Sequence, residues 1–353
     1  MAPTIGFDFD ECLAHAYTIV PLALLLNKLL PRSLSAPDVS PSVRVLLEKS
    51  RAIFFERVAA NEVKTKGTLF RPSLLKILPR LLKLRNEGHI NHMFIYSNNG
   101  LKIVLDTVDH ILALTLKKDP YRVPESHFIR EESGLHVLSP RIFLDEACRS
   151  VEPKEANGFR EKSLEGIRSC VGDMDEADVW FLDDSRMHEK LMNSLKERYL
   201  VMKPYNVKLA NKVLAEILMH SFSTDSFTPG TPEGTVFLAQ LQTIFPTFSA
   251  SGRETRKSLH EKLTKALNTF SPYGGGHLAK GWKDTEIAAD VQYIETSLRS
   301  VLSAAVQTAH AQPDLTYREP VGGRRKSFRL TRTPVSSRRR RNPKALTRRR
   351  RLQ

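Results

Sequence analysis

The amino-acid sequence predicts an α/β protein with a doubly wound, mostly parallel sheet of the Rossmann-like type. Short apolar runs alternate along the chain with longer stretches of helical spacing, which is typical of parallel strands joined by crossover helices. Of the 353 residues, 41% are hydrophobic and 26% are charged, so the chain can bury a sizeable core and wholesale disorder is excluded. Because this length exceeds one minimal domain, we expect a helical insertion and a helical C-terminal extension beside the sheet.

Four apolar runs have the length and the β-rich composition of buried parallel strands. They are residues 4–7, 92–96, 179–182 and 199–202. The first three stop at a polar or acidic residue. In sheets of this type, the carboxyl ends of the strands are where ligands bind.

Helical spacing of apolar residues predicts the helices between these strands. They are residues 20–30, 43–63, 72–86, 101–116, 160–171 and 207–220. The run Arg71-Pro72 opens the third helix, Gly88 ends it, and Pro79 predicts a kink or a restart inside it. Residues 17–66 form a helical insertion, whose helices belong either to a small cap or to the framework of the domain.

The predicted α/β domain covers residues 1–220, and the remaining chain differs in composition. Residues 221–253 are rich in Ser, Thr, Pro and Gly, as linkers are. Residues 254–311 predict a helical extension. Its two helices are residues 254–270 and 285–309. Residues 318–353 lack the apolar residues needed for a core, so we expect a disordered, Arg-rich tail.

The formal charge of +15 is concentrated in this tail. Residues 318–353 hold 15 Lys and Arg against one acidic residue, a net charge of +14, which leaves +1 for the first 317 residues. Arginine clusters bind polyanion phosphates through counterion release without needing a fold, and the same clusters can direct nuclear import. The tail therefore predicts nucleic acid or an import receptor as a partner. Its clustered residues are Arg324, Arg325, Lys326, Arg338, Arg339, Arg340, Arg341, Arg348, Arg349, Arg350 and Arg351.

The three cysteines, Cys12, Cys148 and Cys170, are too few and too scattered for a disulfide framework, and no CxxC pair offers a metal site. We therefore expect a reducing compartment inside the cell, either nucleus or cytoplasm. The apolar run at residues 17–26 is interrupted by Pro21 and is too short to cross a bilayer of about 30 Å. No membrane partner is predicted.

Acidic and hydroxyl side chains follow three of the predicted strands. Asp8 and Asp10 follow the first, Ser97 the second, and Asp183 and Asp184 the third. In a parallel sheet these strand ends meet at one edge. Four carboxylates in one crevice repel each other unless a cation neutralises them, and oxygen-only ligation suits Mg²⁺. The sequence therefore predicts a magnesium site at this edge.

The run after the first predicted strand resembles the first motif of a known enzyme superfamily. It is Asp8-Phe9-Asp10-Glu11-Cys12-Leu13-Ala14-His15. It resembles the Asp-x-Asp motif of the haloacid-dehalogenase-like (HAD-like) phosphatases, and most closely the Asp-x-Asp-Glu-Thr-Leu-Val-His run of the group that acts on the C-terminal domain of RNA polymerase II. Arg71-Pro72, followed by a leucine-rich helix and a strand ending in a hydroxyl, is similar to the same group. The order of elements agrees over about residues 4–220, and recognisable motifs cover a small share of them.

The resemblance implies an HAD-like fold and a magnesium-dependent hydrolase of phosphomonoesters that forms an aspartyl-phosphate intermediate. It makes Asp8 the nucleophile and Asp10 the general acid and then the base. Ser97 would hydrogen-bond a phosphoryl oxygen, assisted by the backbone N–H groups of Asn98 and Asn99.

The resemblance also implies metal ligands and a lysine that offsets charge on the phosphorylated aspartate. The implied metal site consists of Asp8, Asp10, Asp183 and Asp184. Lys162, on the helix predicted over 160–171, fits the lysine position better than Lys154, which lies in a Pro-containing loop.

Three departures from the polymerase-phosphatase pattern bear on the substrate. Cys12 replaces the usual threonine, and we expect it to be a small buried residue. The turn beginning at Ser97 differs from the Thr-Ala-Ser of that group, and Asp183-Asp184 replaces the Asp-Asn of its small members. The last two departures weaken the substrate analogy and leave the chemistry intact.

The substrate class depends on the insertion. A small or absent cap leaves the crevice open to a phosphoprotein or a nucleic-acid end, whereas a real cap built from residues 17–63 favours a small phosphate ester. The alternative is a protein without catalytic activity: a scaffold with an HAD-like fold, or a nucleic-acid-binding protein. In either case the tail would carry out the function.

Overall fold

The structure is a computed structural model of the chain. It describes residues 2–15, 41–65, 68–156, 158–207, 209–222, 255–269 and 282–303, with short pieces at 231, 234–235, 238–239, 241–242 and 247–249. The chain divides into two compact units, Met1–Ala311 and Gln312–Gln353, and every described residue belongs to the first unit. The helix predicted over 20–30, most of the segment 221–253 and the tail 318–353 lie outside the described residues.

The central sheet has five parallel strands. They are β1 (Thr4–Phe7), β2 (Met93–Tyr96), β5 (Arg141–Ile142), β6 (Val179–Asp183) and β7 (Tyr199–Val201). Their order across the sheet is β5-β2-β1-β6-β7, and each neighbouring pair is parallel. The prediction of a mixed α/β fold with a parallel sheet, compatible with a Rossmann-like arrangement, is confirmed.

β1 lies at the centre of the sheet and is buried along its whole length. It pairs with β2 on one side and with β6 on the other. Gly6 faces the rings of Phe94 and Phe181 so closely that a Cβ at this position would overlap both. The central strand therefore needs a residue without a side chain here, because the two rings fill the space that a Cβ would occupy.

All five strands are parallel, but the side on which the chain adds the next strand to the sheet reverses between β1 and β6. The connection after β1 leads to β2 on one side, and the connection after β6 leads to β7 on the other. In open parallel sheets this reversal opens a crevice outside the carboxyl ends of the two strands, where ligands bind. The topology therefore places the ends of β1 and β6 on either side of such a crevice.

The sequence missed three short strands. β3 (Ile129–Glu131) and β4 (Gly134–His136) form a separate antiparallel hairpin, and β5 forms one edge of the central sheet. The sequence between residues 117 and 158 predicts a loop-rich stretch. Strands of two or three residues are too short for the alternation of apolar and polar side chains to be recognised.

Most of the described helices occur close to where the spacing of apolar residues predicts them, but the helix between β6 and β7 is not predicted. They are α1 (Pro41–Thr65), α2 (Pro72–Asn86), α3 (Lys102–Lys117), α4 (Leu164–Val171), α5 (Glu189–Leu195), α6 (Asn211–Phe222), α7 (Arg256–Thr269) and α8 (Asp284–Ser297). Pro79 lies inside α2, which continues through it without a restart.

The expectation that Lys162 lies on a helix is wrong. α4 begins at Leu164, after the Lys162 position, because the Ser163 side chain accepts a hydrogen bond from the Gly166 N–H and caps the helix. Lys162 therefore lies in the extended segment that leads into the helix, where its side chain is free to point into the sheet edge.

α1 is the part of the predicted insertion that the structure describes. It packs against α3 and α6 of the main fold. Its buried Glu62 carboxylate accepts hydrogen bonds from the backbone N–H groups of Thr68, Leu69 and Phe70, at 3.0, 2.9 and 3.2 Å. This helix therefore belongs to the framework and fixes the segment that enters α2.

The two helices of the predicted extension pack on the main fold. α7 packs against α6, and α8 packs against α2. Leu259 and Leu263 on α7, and Ile294 on α8, lie in the same hydrophobic core as β1. The extension is therefore part of the first compact unit.

One pair of cysteines forms a disulfide, although the number and spacing of the cysteines predict no disulfide framework. Cys148 and Cys170 are 22 residues apart, and their Cα atoms lie 5.0 Å apart because α4 packs on the turn that contains Cys148. The reducing compartment inferred from the cysteine count thereby loses its support. Cys12 is free and fully buried, as expected for a small core residue.

Among the described residues, no helix is both long enough and apolar enough to span a membrane.

Candidate active site

The structure gathers the predicted site residues of the α/β domain at the crevice between β1 and β6. Lys162 and Ser97 reach this crevice from a loop and from the end of β2. The gathered residues are Asp8, Asp10, Ser97, Lys162, Asp183 and Asp184. The predicted tail residues, from Arg324 to Arg351, lie outside the described residues.

Three of the carboxylates form a group that can hold a metal ion. One oxygen from each of Asp8, Asp183 and Asp184 lies within 4.8 Å of the others. Asp8 and Asp183 are buried, and Asp184 is half-buried. Asp10 does not belong to this group. Three carboxylate oxygens form a donor set that hard divalent cations prefer.

The Lys162 ammonium lies between the two strand ends. Its Nζ is 2.6 Å from Asp8 Oδ1 and 2.9 Å from Asp183 Oδ2, and its side chain is 1% exposed. Lys154, the alternative lysine, pairs instead with the exposed Asp145. One ammonium offsets one negative charge, so ionisation of all the carboxyl groups at this edge would leave an excess of negative charge that a bound cation can offset.

The environment splits the pKa values of the two buried carboxylates of this group. Burial raises the pKa of Asp8 well above its ordinary value, although Lys162 opposes the shift. Burial also acts against ionisation of Asp183, but Lys162 and the Ser185 N–H together hold its pKa below the ordinary value. Asp183 is therefore the ionised partner of the lysine.

Asp10 and Asp184 have raised pKa values near neutrality. Burial raises the pKa of Asp10 to about 7, opposed by Lys162 and by a hydrogen bond from Ser97. Burial and then the charge of Asp183 raise the pKa of Asp184 to about 6. A carboxyl group with a pKa near 7 can both donate and accept a proton at neutral pH.

Ser97 is held by the turn after β2. Its backbone N–H donates to the Ile142 carbonyl at 3.0 Å, and its Oγ accepts a hydrogen bond from the Asn99 N–H at 2.9 Å. The hydroxyl is close enough to Asp10 to lower the pKa of its carboxyl against the effect of burial. Ser97 is fully buried, so this turn fixes the hydroxyl at the floor of the crevice.

A tight loop follows β1 and carries Asp10. The Phe9 carbonyl accepts hydrogen bonds from the N–H groups of Leu13 and Ala14, at 3.2 and 3.1 Å. Glu11 adopts a left-handed backbone with φ of 59°, which is uncommon for a residue with a side chain. Such a conformation persists only where the surroundings hold it.

Arg71 supplies that hold, and its functional part was missed by the sequence reasoning. This fully buried guanidinium donates to the Glu11 carbonyl at 3.3 Å and to the Cys12 carbonyl at 3.4 Å. Both of these bonds come from Nη1. The Arg71 Nη2 donates to the Lys203 carbonyl at 2.6 Å, and the Nε lies 2.8 Å from Asp290 Oδ2 on α8. The C-terminal helix therefore supplies the charge partner of the residue that supports the Asp10 loop.

His188 was also missed. Its Nδ1 accepts a hydrogen bond from the Lys162 backbone N–H at 3.1 Å, and its ring stacks on Phe159. Burial lowers the pKa of His188 to about 3, followed by the effect of Lys162. The imidazole is therefore neutral and acts as an acceptor that orients the lysine segment.

Comparisons with known proteins give no family for the chain. No family model matches it, and no match is found among curated proteins or solved structures. The HAD-like resemblance therefore rests on the motif residues in the sequence alone.

We predict that Asp10→Asn stabilises the metal-free protein, increasingly so at higher pH. The pKa of Asp10 is about 7 in the folded state, against about 3.9 in an unfolded chain. The protonated carboxyl contributes stability that is complete below about pH 4 and is lost as the pH rises towards 7. Because asparagine does not titrate, urea unfolding at pH 8 should show the variant about 1–3 kcal/mol more stable.

The stability difference should narrow steadily as the pH is lowered to 4. Asp173→Asn, at an exposed carboxylate, should show no such trend. A difference between Asp10→Asn and wild type that stays constant with pH would contradict the raised pKa.

A second prediction concerns Asp290. Asp290→Asn leaves the Arg71 charge buried without a counter-charge, and breaking a buried pair costs about 3–5 kcal/mol. Glu295→Gln, on the same helix, removes only an exposed pair with Arg80 at 4.0 Å and should cost at most about 1 kcal/mol. Urea unfolding of both variants measures the two losses in the free energy of unfolding. Equal losses would show that the buried pair contributes no more to stability than the exposed one.

Proposed function

We propose that this protein is a magnesium-dependent hydrolase of phosphomonoesters that works through a phosphorylated Asp8. One observation carries the proposal: Asp8 contacts the buried Lys162 ammonium and also belongs to the group of three carboxylates that can hold a cation. A carboxylate that attacks a phosphoryl group is repelled by the negative charge of the phosphoryl oxygens. Positive charge close to both the carboxylate and these oxygens reduces the repulsion.

Magnesium fits the donor set of this site. Asp8, Asp183 and Asp184 would hold it, since they offer three carboxylate oxygens within 4.8 Å of one another. When bound there, the ion supplies charge that offsets the phosphoryl oxygens. The remaining roles belong to side chains of the chain itself.

In the first step, the ionised form of Asp8, which Lys162 and a bound cation would favour, forms a bond to phosphorus through one oxygen, and the ester oxygen of the substrate leaves. The leaving oxygen takes a proton from Asp10, whose pKa near 7 keeps part of the carboxyl protonated at neutral pH. Lys162 stays charged throughout, because Asp183 and Asp8 hold its pKa above the ordinary value despite burial. Its charge stabilises the acyl phosphate that forms on Asp8.

In the second step, water attacks the phosphorus of the acyl phosphate. Asp10, now ionised, takes a proton from this water, and the bond between phosphorus and the Asp8 oxygen breaks. The step releases inorganic phosphate and restores both carboxyl groups. Ser97, which is fully buried at the end of β2, would direct its hydroxyl to a phosphoryl oxygen.

The proposed substrate is a phosphorylated macromolecule, either a phosphoprotein or a nucleic-acid end. The described part of the insertion, α1, packs into the framework, which supports an open crevice. The +14 charge of residues 318–353 favours a second function for the tail, which is the binding of nucleic acid or of an import receptor. Import would take the protein to the nucleus. The alternative remains a non-catalytic scaffold in which the tail alone acts.

We predict that the purified protein hydrolyses an aryl phosphate in the presence of Mg²⁺ and loses this activity with a chelator. Asp8→Asn removes the nucleophile and should lower kcat on the order of 10⁴-fold, a typical cost for a member of a catalytic unit. Asp173→Asn, at an exposed carboxylate, should leave kcat unchanged. Hydrolysis that is absent, or that Asp8→Asn does not affect, would leave only the scaffold.

The tail gives a separate prediction. Removal of residues 318–353 takes away 15 basic residues, so the retention of DNA or RNA on a filter and its steep dependence on salt should both disappear. Hydrolysis of the aryl phosphate should be unchanged, because the small substrate does not need the polyanion site. Unchanged retention would exclude the tail as that site.

A further inference from the structure

A buried ion pair lies behind the site and has no role in the chemistry described so far. Arg149 and Glu152 are 0% and 1% exposed, and Arg149 Nε lies 2.8 Å from Glu152 Oε2. A pair of this kind is a weak source of stability, because apolar residues of similar volume often serve as well. Its partners are therefore the more informative feature.

Arg149 reaches the turn that carries Ser97. Its Nη1 donates to the Ser97 carbonyl at 2.6 Å, and its Nη2 donates to Asn98 Oδ1 at 2.9 Å. The guanidinium also lies over the Tyr96 ring, 4.5 Å from its centre. Its three nitrogens are thus directed at three different acceptors, which a planar fork can do and an ammonium cannot.

Glu152 reaches the segment that carries Lys162. Its Oε1 accepts hydrogen bonds from the Ser163 N–H at 2.8 Å and from the Ser163 hydroxyl at 3.1 Å, and also from the Tyr96 hydroxyl. A Cβ at Gly166 would overlap both Glu152 Oε1 and the Tyr96 oxygen. The first turn of α4 therefore packs directly on this carboxylate, and Ser163 is the next residue after Lys162.

The disulfide links the two ends of the chain segment that contains Arg149, Glu152 and Lys162. Cys148 precedes Arg149, and Cys170 lies on α4, whose cap is Ser163. The crosslink therefore ties the Arg149 turn to the helix that follows Lys162. Both cysteines line an open surface depression of about 260 Å³, together with Lys102 and Glu146, so a small thiol reagent can reach them.

We propose that Arg149 and Glu152 are positioning residues that fix Ser97 and Lys162 relative to each other, and that the Cys148–Cys170 disulfide holds this pair in place. The inference rests on the proposed phosphohydrolase function, since it gives Ser97 and Lys162 a common phosphoryl group to bind. Reduction of the disulfide loosens the turn and weakens phosphate binding. The site is thereby sensitive to a dithiol reductant.

The redox step is a thiol–disulfide exchange. A dithiol gives up two electrons and two protons, the bond between the sulfur atoms of Cys148 and Cys170 breaks, and two thiols form while the reagent becomes a cyclic disulfide. Reoxidation requires a disulfide oxidant of the same class. Cys12 takes no part, because it is fully buried and its thiol donates to the Leu182 carbonyl.

The first test is Arg149→Lys in the full-length protein, with Arg168→Lys as the matched control at an exposed arginine paired with Glu176. Lysine keeps the charge opposite Glu152 but cannot reach Ser97 and Asn98 at once. Losses of partners behind a site typically cost about 10–100-fold in affinity or activity. We expect a fall of this size in kcat/KM for an aryl phosphate and weaker binding of inorganic phosphate by calorimetry.

Phosphate affinity separates positioning from a structural role. Partial unfolding lowers the number of binding sites and leaves the dissociation constant of the folded fraction unchanged. Weaker phosphate binding in Arg149→Lys, with a full number of sites, supports the proposal. An unchanged dissociation constant, whatever the change in thermal stability, overturns it.

The second test addresses the disulfide. Alkylation of the unfolded, unreduced protein should modify one cysteine of the three, and alkylation after reduction should modify all three, as measured by intact mass. Dithiol treatment of the wild type should weaken phosphate binding several-fold. The double variant Cys148→Ser/Cys170→Ser should bind phosphate as weakly before dithiol treatment as the reduced wild type does, and the dithiol should not change its binding.

Alkylation of all three cysteines in the unreduced protein would overturn the role of the disulfide. Phosphate binding that is the same before and after reduction would also overturn it. A wild type that binds phosphate without hydrolysing esters would refute the proposed function and leave the positioning test valid. A wild type that does neither would refute both proposals.

Discussion

The site depends on one ammonium group that lies between two strand ends. Asp8 and Asp183 lie at the ends of neighbouring strands, where two ionised carboxylates would repel each other if no cation lay between them. Lys162 Nζ contacts both, at 2.6 and 2.9 Å, in a nearly solvent-free position. Removing this lysine would leave two buried carboxylates without compensation, so the ammonium is a condition for the crevice as well as for its chemistry.

Much of the sheet and of the site follows from the sequence because it is encoded locally. β1 and β6 are continuous apolar runs that stop at an acidic residue, and parallel pairing then brings Asp8 and Asp183 to the same edge. The search for a lysine needed the resemblance to a known motif, and Lys162 was preferred to Lys154 because of the helix predicted over 160–171. Its placement on a helix was wrong by two residues, because the cap at Ser163 decides where α4 begins.

The supporting contacts could not be predicted because they join residues far apart in the chain. Arg71 and Asp290 are separated by 219 positions, and Cys148 and Cys170 by 22. Neither pair has a signal of its own in the sequence, since an arginine at a helix start and two lone cysteines have common local explanations. The contacts arise only when α8 packs on α2 and when α4 packs on the turn at Cys148.

These contacts also connect the site to the C-terminal extension and to the disulfide. Each segment that carries a site residue is hydrogen-bonded by buried side chains outside the site. Arg71, paired with α8, supports the Asp10 loop, and Arg149 supports the Ser97 turn. Glu152 and His188 support the Lys162 segment. A precise constellation of charged groups requires support of this kind, because each group alone would avoid its neighbours.

The most direct measurement is the capture of the phosphoryl group on Asp8. The full-length protein is mixed with an aryl phosphate and Mg²⁺, quenched in acid and digested, and the peptides are weighed by mass spectrometry. The account predicts a hydroxylamine-sensitive phosphoryl group on the peptide that contains Asp8, accumulating further in Asp10→Asn if the second step is slowed more than the first. Steady hydrolysis with no phosphoryl group on this peptide in either protein, or a phosphoryl group on another residue, would contradict it.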